Sequence, residues 1–592
     1  MRSEHYVALC RQLCANPTLT QRDLASRLGV SLGLINLTLK ESIVQGYLRK
    51  EGAKTLLTDE GQSYLDQFKV DNAIILAAGF GSRFVPFTYE TPKGLLKVKG
   101  VPMVERQIEQ LIAAGIKEII IVVGYRKEAF DYLIDKYGVT LVYNPEYAEK
   151  NNFVSMYYAL DYLKSTYVLM SDNWIEESIF NAWESRCWFS CLYFEGKTAE
   201  WIAHSGSRDK ITKIEIGGED AWAILGPAYF TRDFSETFAE LIREHYHSPG
   251  TDNDYWEHIL KDNLGSLPPM YMNKQSRTNV YEFENLEELR EFDESYRLDS
   301  DNVIIREISQ ALNVSPDMIC RITPLKVGAS NLSFTFYVDS QGYVFRTPGL
   351  GTEKLINHAQ EKAAYDVLID VGITDEIVAF NSQRGTKITK FYEGVHVVDP
   401  SDVGQLTEAV RLIKTLHTSG LSTGYACDIE KMISCYRDLA EEINAIRFVD
   451  FDEVTLSIDK LLNLKRKIAV EPVLCHGDFT NTNVILFPDG SGKLIDWEYS
   501  GMADPIMDIS MFAIDSIMDR PQIDQFMRMY ISEPTREEWC RLYLYVALGG
   551  FLWSIWAEYK QASGQEFGEY PLKMYRYAKD YYSILVHEGY LA

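Results

Sequence analysis

The sequence predicts a multidomain chain of mixed α/β and α+β class, and three observations carry that expectation. At 592 residues the chain exceeds what one hydrophobic core spans, so roughly three or four domains are expected. The residue pattern changes along the chain, from closely spaced short helices, to strands alternating with amphipathic helices, to a hairpin followed by a long helical remainder. Hydrophobic residues are 46% and charged residues 24%, an ordinary globular composition. No stretch reaches about 18 uninterrupted apolar residues, so no membrane insertion is expected.

Residues 1–68 set apolar residues at helical spacing in LTQRDLASRLGVSLGLINLTLKESIVQGYLRK, broken at Gly29-Val30-Ser31. Thr20 and Ser31 stand where N-caps belong. Tyr47-Leu48-Arg49-Lys50 and Lys54-Thr55-Leu56-Leu57-Thr58 fit a two-stranded wing, and the whole resembles a winged helix-turn-helix. Eight Lys and Arg stand against seven Asp and Glu here, so this is the one segment of a chain of net charge −26 that is not strongly acidic. DNA contact and protein contact are the two readings left open, since so few cations make a thin phosphate footprint.

Residues 70–295 alternate apolar strands (72–76, 118–123, 141–143, 167–170) with helices such as 101–114. That alternation predicts a mostly parallel, doubly wound sheet with ligands at the carboxyl ends of its strands. Residues 300–592 begin with a helix, pass through strands at 334–338 and 343–346, and continue as helices. Nine cysteines without C-x-x-C pairs indicate neither a zinc site nor a disulfide framework. With an N-terminus too polar for a secretory signal, a cytoplasmic location is expected. The acidity argues against a chain that coats nucleic acid or anionic lipid along its whole length.

The strand ending at Leu76 runs into Ala77-Ala78-Gly79-Phe80-Gly81-Ser82-Arg83, and Lys93 follows in TPKGLL. Small residues let backbone N–H groups approach a triphosphate, and converging Arg and Lys neutralise charge developing on an α-phosphate. The combination LAAGFGSRFVPFTYETPKGLL resembles the signature of sugar-nucleotide and phosphocholine nucleotidyltransferases. Within them, residues 72–292 are similar to the bacterial CTP:phosphocholine cytidylyltransferases, through VVGYRKEAFDYL, YNPEYAEKNNFVSMYYAL, VLMSDNW and DYWEHILKDN. The resemblance implies a Rossmann-like fold, CTP bound by Ala78, Gly79, Gly81, Asn152 and Ser155, and catalysis by Lys93 and Arg83. It also implies Asp172 as a Mg²⁺ ligand, a second acid from Glu257 with Asp254 and Asp252 as competitors, and Trp201 beside the trimethylammonium of phosphocholine.

HGDFTNTNVILF (476–487) and KLIDWEYSG (493–501) place Asp478 and Asn483 five apart, with Asp496 on the next strand. This is the spacing of a kinase catalytic loop, in which Asp478 takes the proton of the attacking hydroxyl while Asn483 and Asp496 hold Mg²⁺ against ATP. Upstream, Gly328-Ala329-Ser330-Asn331 resembles the phosphate-covering loop of choline kinases and aminoglycoside phosphotransferases, which implies a protein-kinase-like bilobal domain. Ser330 and Asn331 then bind nucleotide, Arg346 takes the place of the phosphate-binding basic residue, and Glu361 is its ion-pair partner.

Trp553 and Trp556 are i, i+3 on a helix near the end of the chain. A quaternary ammonium has no N–H to donate, so aromatic faces and one carboxylate are the natural way to hold it. The stretch resembles the choline-binding end of choline kinases, with Tyr499 and Tyr570 completing the box and Asp515 where that family more often has Glu. The two halves together are expected to make CDP-choline from choline, ATP and CTP by way of phosphocholine. Ethanolamine with phosphoethanolamine is the rival substrate pair. A DNA-binding, choline-responsive regulator with degenerate enzyme domains is the rival class, and retention of Lys93, Asp172, Asp478, Asn483 and Asp496 argues against it.

Overall fold

The computed structural model describes residues 3–298, 302–325, 331–349, 356–562 and 567–591. The chain divides into two compact units, Met1–Ile305 and Arg306–Ala592.

The first unit opens with helices Ser3–Ala15, Gln21–Leu28 and Leu32–Val44, followed by an antiparallel hairpin of Leu48–Glu51 with Lys54–Leu57. Thr20 and Asp23 form a reciprocal capping box, and Ser31 Oγ accepts from the Leu34 amide at 3.2 Å, so both caps act where the sequence places them. These helices do not separate as a unit of their own. Arg11 donates to the Trp183 carbonyl at 2.8 Å and pairs with Glu184 at 2.8 Å.

Four parallel strands then lie side by side in the order 140–143, 118–123, 72–77 and 166–170. Every residue of Asn72–Ala77 is buried, as a strand covered on both faces requires. Beyond 166–170 the sheet turns antiparallel through a long hairpin, Trp188–Ser205 with Ile211–Phe230, and Tyr271–Gln275 closes its edge. Four of the six pairings in the seven-stranded sheet are parallel, in keeping with the mostly parallel sheet the sequence pattern predicts, and the long hairpin adds two antiparallel ones. Its base is continuously buried at 188–192 and 227–230, while its outer part alternates half-buried with exposed residues and is broken by register shifts. The parallel core with flanking helices is the Rossmann-like nucleotidyltransferase fold.

The second unit begins with a five-stranded antiparallel sheet in the order Ile319–Pro324, Asn331–Val338, Gln341–Pro348, Thr386–Lys390 and Ile377–Asn381. Helix His358–Leu368 follows Gln341–Pro348 and buries Glu361, Ala364, Tyr365 and Leu368. A helical lobe follows, interrupted by two short strand pairs, Val473–Cys475 with Gly501–Ala503 and Val484–Leu486 with Gly492–Leu494. An antiparallel sheet with one helix, joined to a helical lobe through such strand pairs, is the protein-kinase-like fold. Helix Arg536–Ala562 is long and apolar enough to cross a membrane by composition alone, with mean hydropathy 1.2 over 18 residues. Within the unit 89% of that window is buried, which makes it the central core helix of the lobe.

Glycine is obligatory at one point of this lobe. Gly477 follows the strand Val473–Cys475 at φ 81°, and a Cβ there would lie 2.3 Å from the Tyr499 carbonyl oxygen. Gly33, by contrast, sits exposed in helix Leu32–Val44, and an added Cβ would meet only Ser31 Oγ at 3.9 Å. Gly477→Ala is expected to destabilise the second unit by about 3 kcal/mol, whereas Gly33→Ala stabilises the first by roughly 0.5–1 kcal/mol. Calorimetry of the full chain, which resolves separate unfolding transitions, checks both signs.

Candidate functional site

The first site lies at the carboxyl ends of the parallel strands. A cavity of about 260 Å³ is lined by Ala78, Gly79, Gly81, Arg83, Lys93, Asn152, Ser155 and Asp172, together with Asn144, Lys150 and Tyr255. The sequence brings Lys93 to its partner through a close backbone approach. A Cβ at Gly94 would stand 2.7 Å from Ser171 Cβ, so only glycine lets these two segments touch. Lys93 Nζ then donates to Asp172 Oδ2 at 2.6 Å and to the Phe283 carbonyl at 2.9 Å. Arg83 lines the same cavity with its guanidinium turned to Glu284.

Asn152 and Ser155 carry structural bonds as well. Asn152 Oδ1 accepts from the Trp256 amide at 3.0 Å and so caps the helix that bears Glu257, while Ser155 Oγ accepts from Asn144 at 3.1 Å. One Glu257 oxygen is sealed without a partner, and burial, with Glu282 nearby, pushes its carboxyl up to about 8. Glu257, rather than its competitors, faces the acidic cluster: Asp254 is held by His245 at 2.9 Å, and Asp252 is exposed. Trp201 is half-buried and meets His258 edge-on at 4.7 Å; it is not part of the cavity wall.

Sequence reasoning missed Glu282. It ends the strand Val280–Glu282, accepts from Asn173 at 3.1 Å, and is raised by burial and by Asp172 while Lys93 opposes that shift. Asp172, Glu282 and Glu257 thus form an acidic chain with one ammonium, Lys93, against it. The sealed, unpartnered oxygens Asp172 Oδ1 and Glu257 Oε2 fit a hard divalent cation.

The second site forms where the sheet of the second unit meets the loop after Val473–Cys475. Asn483 Nδ2 donates to Asp478 Oδ2 at 3.0 Å and to the Asp478 carbonyl at 2.9 Å. Asp496 is held in a left-handed backbone, φ 67°, and pairs with Arg346. The buried Arg346 guanidinium also binds Glu361 and, at 2.8 Å, Glu498. Burial would lower the Arg346 pKa, but Asp496, Glu361 and Glu498 hold it well above the usual value. Asp478 is raised well above the carboxylate range by burial, then by Asp496, Asp515 and Glu498. Burial likewise pushes Asp515 up to about 6.

Three participants carried no motif signal. Glu498 is the second acid of IDWEYSG and accepts from Asn331. Lys387 stands directly across the strands from Arg346 and donates to Glu361 at 3.0 Å. Tyr436 shares a 2.9 Å hydrogen bond with the Tyr499 hydroxyl. Ser330 lies outside the described residues.

An aromatic wall runs alongside. The Tyr499 ring meets Trp553 edge-on at 6.2 Å, Trp553 meets Trp556 at 5.7 Å, and Phe567 links Trp556 at 5.0 Å to Tyr570 at 6.4 Å. Trp553 is buried in the core of the lobe, its Nε1 donating to Met511 Sδ at 3.4 Å, whereas Trp556 is half-buried against that core. Tyr570 feels the charges of Asp515 and Asp478, which ties the wall to the catalytic loop.

Two family models match the chain: the phosphotransferase enzyme family over residues 321–543 and the MobA-like NTP transferase domain over residues 73–172. The choline-phosphate cytidylyltransferase of Streptococcus pneumoniae is 36% identical, over 38% of this chain and 96% of that protein. The 2-aminoethylphosphonate cytidylyltransferase of Lancefieldella rimae is also 36% identical, over 38% of this chain and 93% of that protein. The crystal structure of choline kinase LicA from Streptococcus pneumoniae aligns with TM-score 0.42 at 25% identity, covering 48% of this chain and 98% of that one. The chain joins a phosphotransferase-type domain to a cytidylyltransferase domain, and through the latter it belongs to the family of the choline-phosphate cytidylyltransferases.

Proposed function

We propose that this chain makes CDP-choline in two steps, phosphorylating choline with ATP and then transferring CMP from CTP to phosphocholine. One observation carries the reading: the Asp478, Asn483 and Asp496 cluster stands beside the Tyr499, Trp553, Trp556 wall, in the same chain as the Lys93–Asp172 cavity. Asp478, whose raised pKa makes it a stronger base than a surface carboxylate, takes the choline hydroxyl proton. Tyr499, Trp553, Trp556 and Tyr570 present ring faces to the trimethylammonium, and Asp515 supplies the counter-charge. In the other unit Ala78, Gly79 and Gly81 give backbone room for the triphosphate, and Lys93 and Arg83 meet the α-phosphate and the leaving pyrophosphate. Mg²⁺, held by Asn483 with Asp496 and by Asp172 with Glu257, would supply Lewis-acid charge neutralisation at each phosphorus centre.

Ethanolamine is the second reading, favoured by the relative named for 2-aminoethylphosphonate, a primary ammonium compound. The aromatic wall supports the quaternary cation over it, because a primary ammonium would need hydrogen-bond acceptors in place of ring faces. Residues 1–68 we read as a winged helix-turn-helix, with domains at 70–295 and 300–592 following it. The exposed face of its Leu32–Val44 helix carries Leu32, Leu37, Ile43 and Val44 with a single cation, Lys40, which supports protein contact over DNA. All nine cysteines are free thiols, which supports a cytoplasmic setting.

Asp478→Ala is expected to abolish choline-dependent ADP release while CTP turnover with supplied phosphocholine survives, and Lys93→Ala does the reverse. Each loss should reach at least about 100-fold, followed with each nucleotide assayed separately. If either substitution silenced both reactions in a folded chain, two independent sites would be excluded. The cation box has its own pH signature. Asp515 titrates near 6 in the folded chain, so it is neutral below that pH and anionic above. Choline KM is expected to fall as pH rises through about 6 and then level off. Asp515→Asn should flatten that profile and raise KM about tenfold, the worth of one partly buried charge contact.

A further inference from the structure

The hydroxyls of Tyr436 and Tyr499 meet at 2.9 Å, and among the described residues that is the one hydrogen bond either hydroxyl makes. Tyr499 belongs to the aromatic wall, its ring edge-on to Trp553. Tyr436 stands on a separate helix, Ile429–Glu442, whose buried residues Ile429, Ile433, Tyr436 and Ala440 recur at helical spacing. Packing of that stripe fixes Tyr436, which is 3% exposed, while Tyr499 is half-buried.

The backbone of Tyr499 is fixed as well, because its carbonyl oxygen lies 2.3 Å from where a Cβ on Gly477 would stand. What is left to set is the direction of its ring. A cavity of about 300 Å³ borders that ring, lined by Tyr436, Tyr499, Glu498, Gln360 and Cys427 among others. Packing does not fill that side, so a ring with nothing holding its far end has room to turn away from Trp553. Burial foremost, with Glu498 and Asp478 adding to it, raises both phenols above their ordinary range. Both hydroxyls therefore stay protonated, and the pair lies in the field of the reacting cluster.

We propose that Tyr436 is a positioning residue that sets the preference of this site for a quaternary ammonium, by holding the Tyr499 ring with its face toward the cation. The proposal rests on the reading that this unit phosphorylates choline. A cation–π contact depends on ring direction, because the ring face attracts a cation and the ring edge repels it. A trimethylammonium has no N–H with which to bind anything else, so a turned ring weakens its hold directly. A primary ammonium is held by hydrogen-bond acceptors and feels the turn less. Tyr436 thus acts on the choice between two alcohols through Tyr499, without touching either.

Tyr436→Phe removes the hydroxyl and keeps the ring in the helix stripe. It is compared with Tyr499→Phe, the double variant and wild type, each as the full chain without CTP, for ADP release with choline and with ethanolamine. Choline KM is expected to rise about fivefold in either single variant, the worth of one neutral hydrogen bond, with kcat and the KM for ATP within about twofold of wild type. The double variant should match the singles rather than multiply them, since both remove the same bond. Ethanolamine KM should stay within about twofold, which narrows the preference for choline. An unchanged choline KM in Tyr436→Phe overturns the inference. So does an equal rise for both alcohols, or a rise that multiplies in the double variant, either of which marks a packing role. No choline-dependent ADP release by the wild-type chain would overturn the functional reading and this inference together.

Discussion

The buried guanidinium of Arg346 is held by three carboxylates at once, and those carboxylates still outnumber the cations around them. Burying a carboxylate is expensive unless a charge or several hydrogen bonds meet it, so a folded chain that gathers Asp478, Asp496, Glu498 and Asp515 carries an unpaid electrostatic cost. The raised pKa values of Asp478, Glu498 and Asp515 express that surplus. Each is relieved when cations arrive, and both kinds proposed here, a divalent metal and a quaternary ammonium, are cations. The first unit repeats the device with different residues. Lys93 sits on Asp172 while Glu282 and Glu257 are raised behind it, so the lysine holds the acids together until a nucleotide gives it phosphate oxygens to bind.

Such a surplus could pull a loop apart, and the backbone is anchored against it. Asp508 accepts from the His476 amide at 2.8 Å, from the Gly477 amide at 2.9 Å and from His417 at 2.9 Å. Burial would raise Asp508, but these donors bring it below its ordinary value, so here the carboxylate is fully compensated. His417 is fixed in turn by the Tyr530 hydroxyl at 2.8 Å. The two residues that precede Asp478 are thereby tied to the helix Pro505–Asp515, whose last residue is Asp515 itself. Base and counter-charge stand on one rigid piece, and Gly477 must be glycine because that piece passes directly beneath the Tyr499 carbonyl.

What the sequence made legible was local spacing. LAAGFGSRF with Lys93, and HGDFTNTN with Asp496, place reacting groups within one turn or on neighbouring strands, so their convergence needs no knowledge of distant contacts. The same holds for Trp553 and Trp556 and for the caps Thr20 and Ser31. Glu282, Glu498, Lys387 and Tyr436 were illegible for the opposite reason. Glu282 reaches Asp172 only because strand Val280–Glu282 pairs with Asn173–Ile175, a contact more than a hundred residues apart. Lys387 is one of several strand cations until the register sets it across from Arg346. The long hairpin 188–230 escaped because its period-two pattern is broken by bulges, and Trp201, aligned by resemblance with a ligand contact, stands against His258 on that same irregular ribbon.

The helix Arg536–Ala562 shows how far composition and function can part. Its apolar content serves packing: Gly549 and Gly550 admit Met511, Ile514 and Tyr577 so closely that a Cβ would lie under 3 Å from each neighbour. Against such a background every buried polar group must answer for itself. Ser554 Oγ donates to the Phe551 carbonyl at 2.8 Å, and Glu558 accepts from the Arg447 amide at 2.9 Å and its guanidinium at 3.1 Å. Both are accounted for by structure. A helix that passes for a membrane span thus also carries the two indoles of the aromatic wall, spaced i, i+3 along it. Ring faces of that kind suit a quaternary cation, and no run of hydropathy could have specified them.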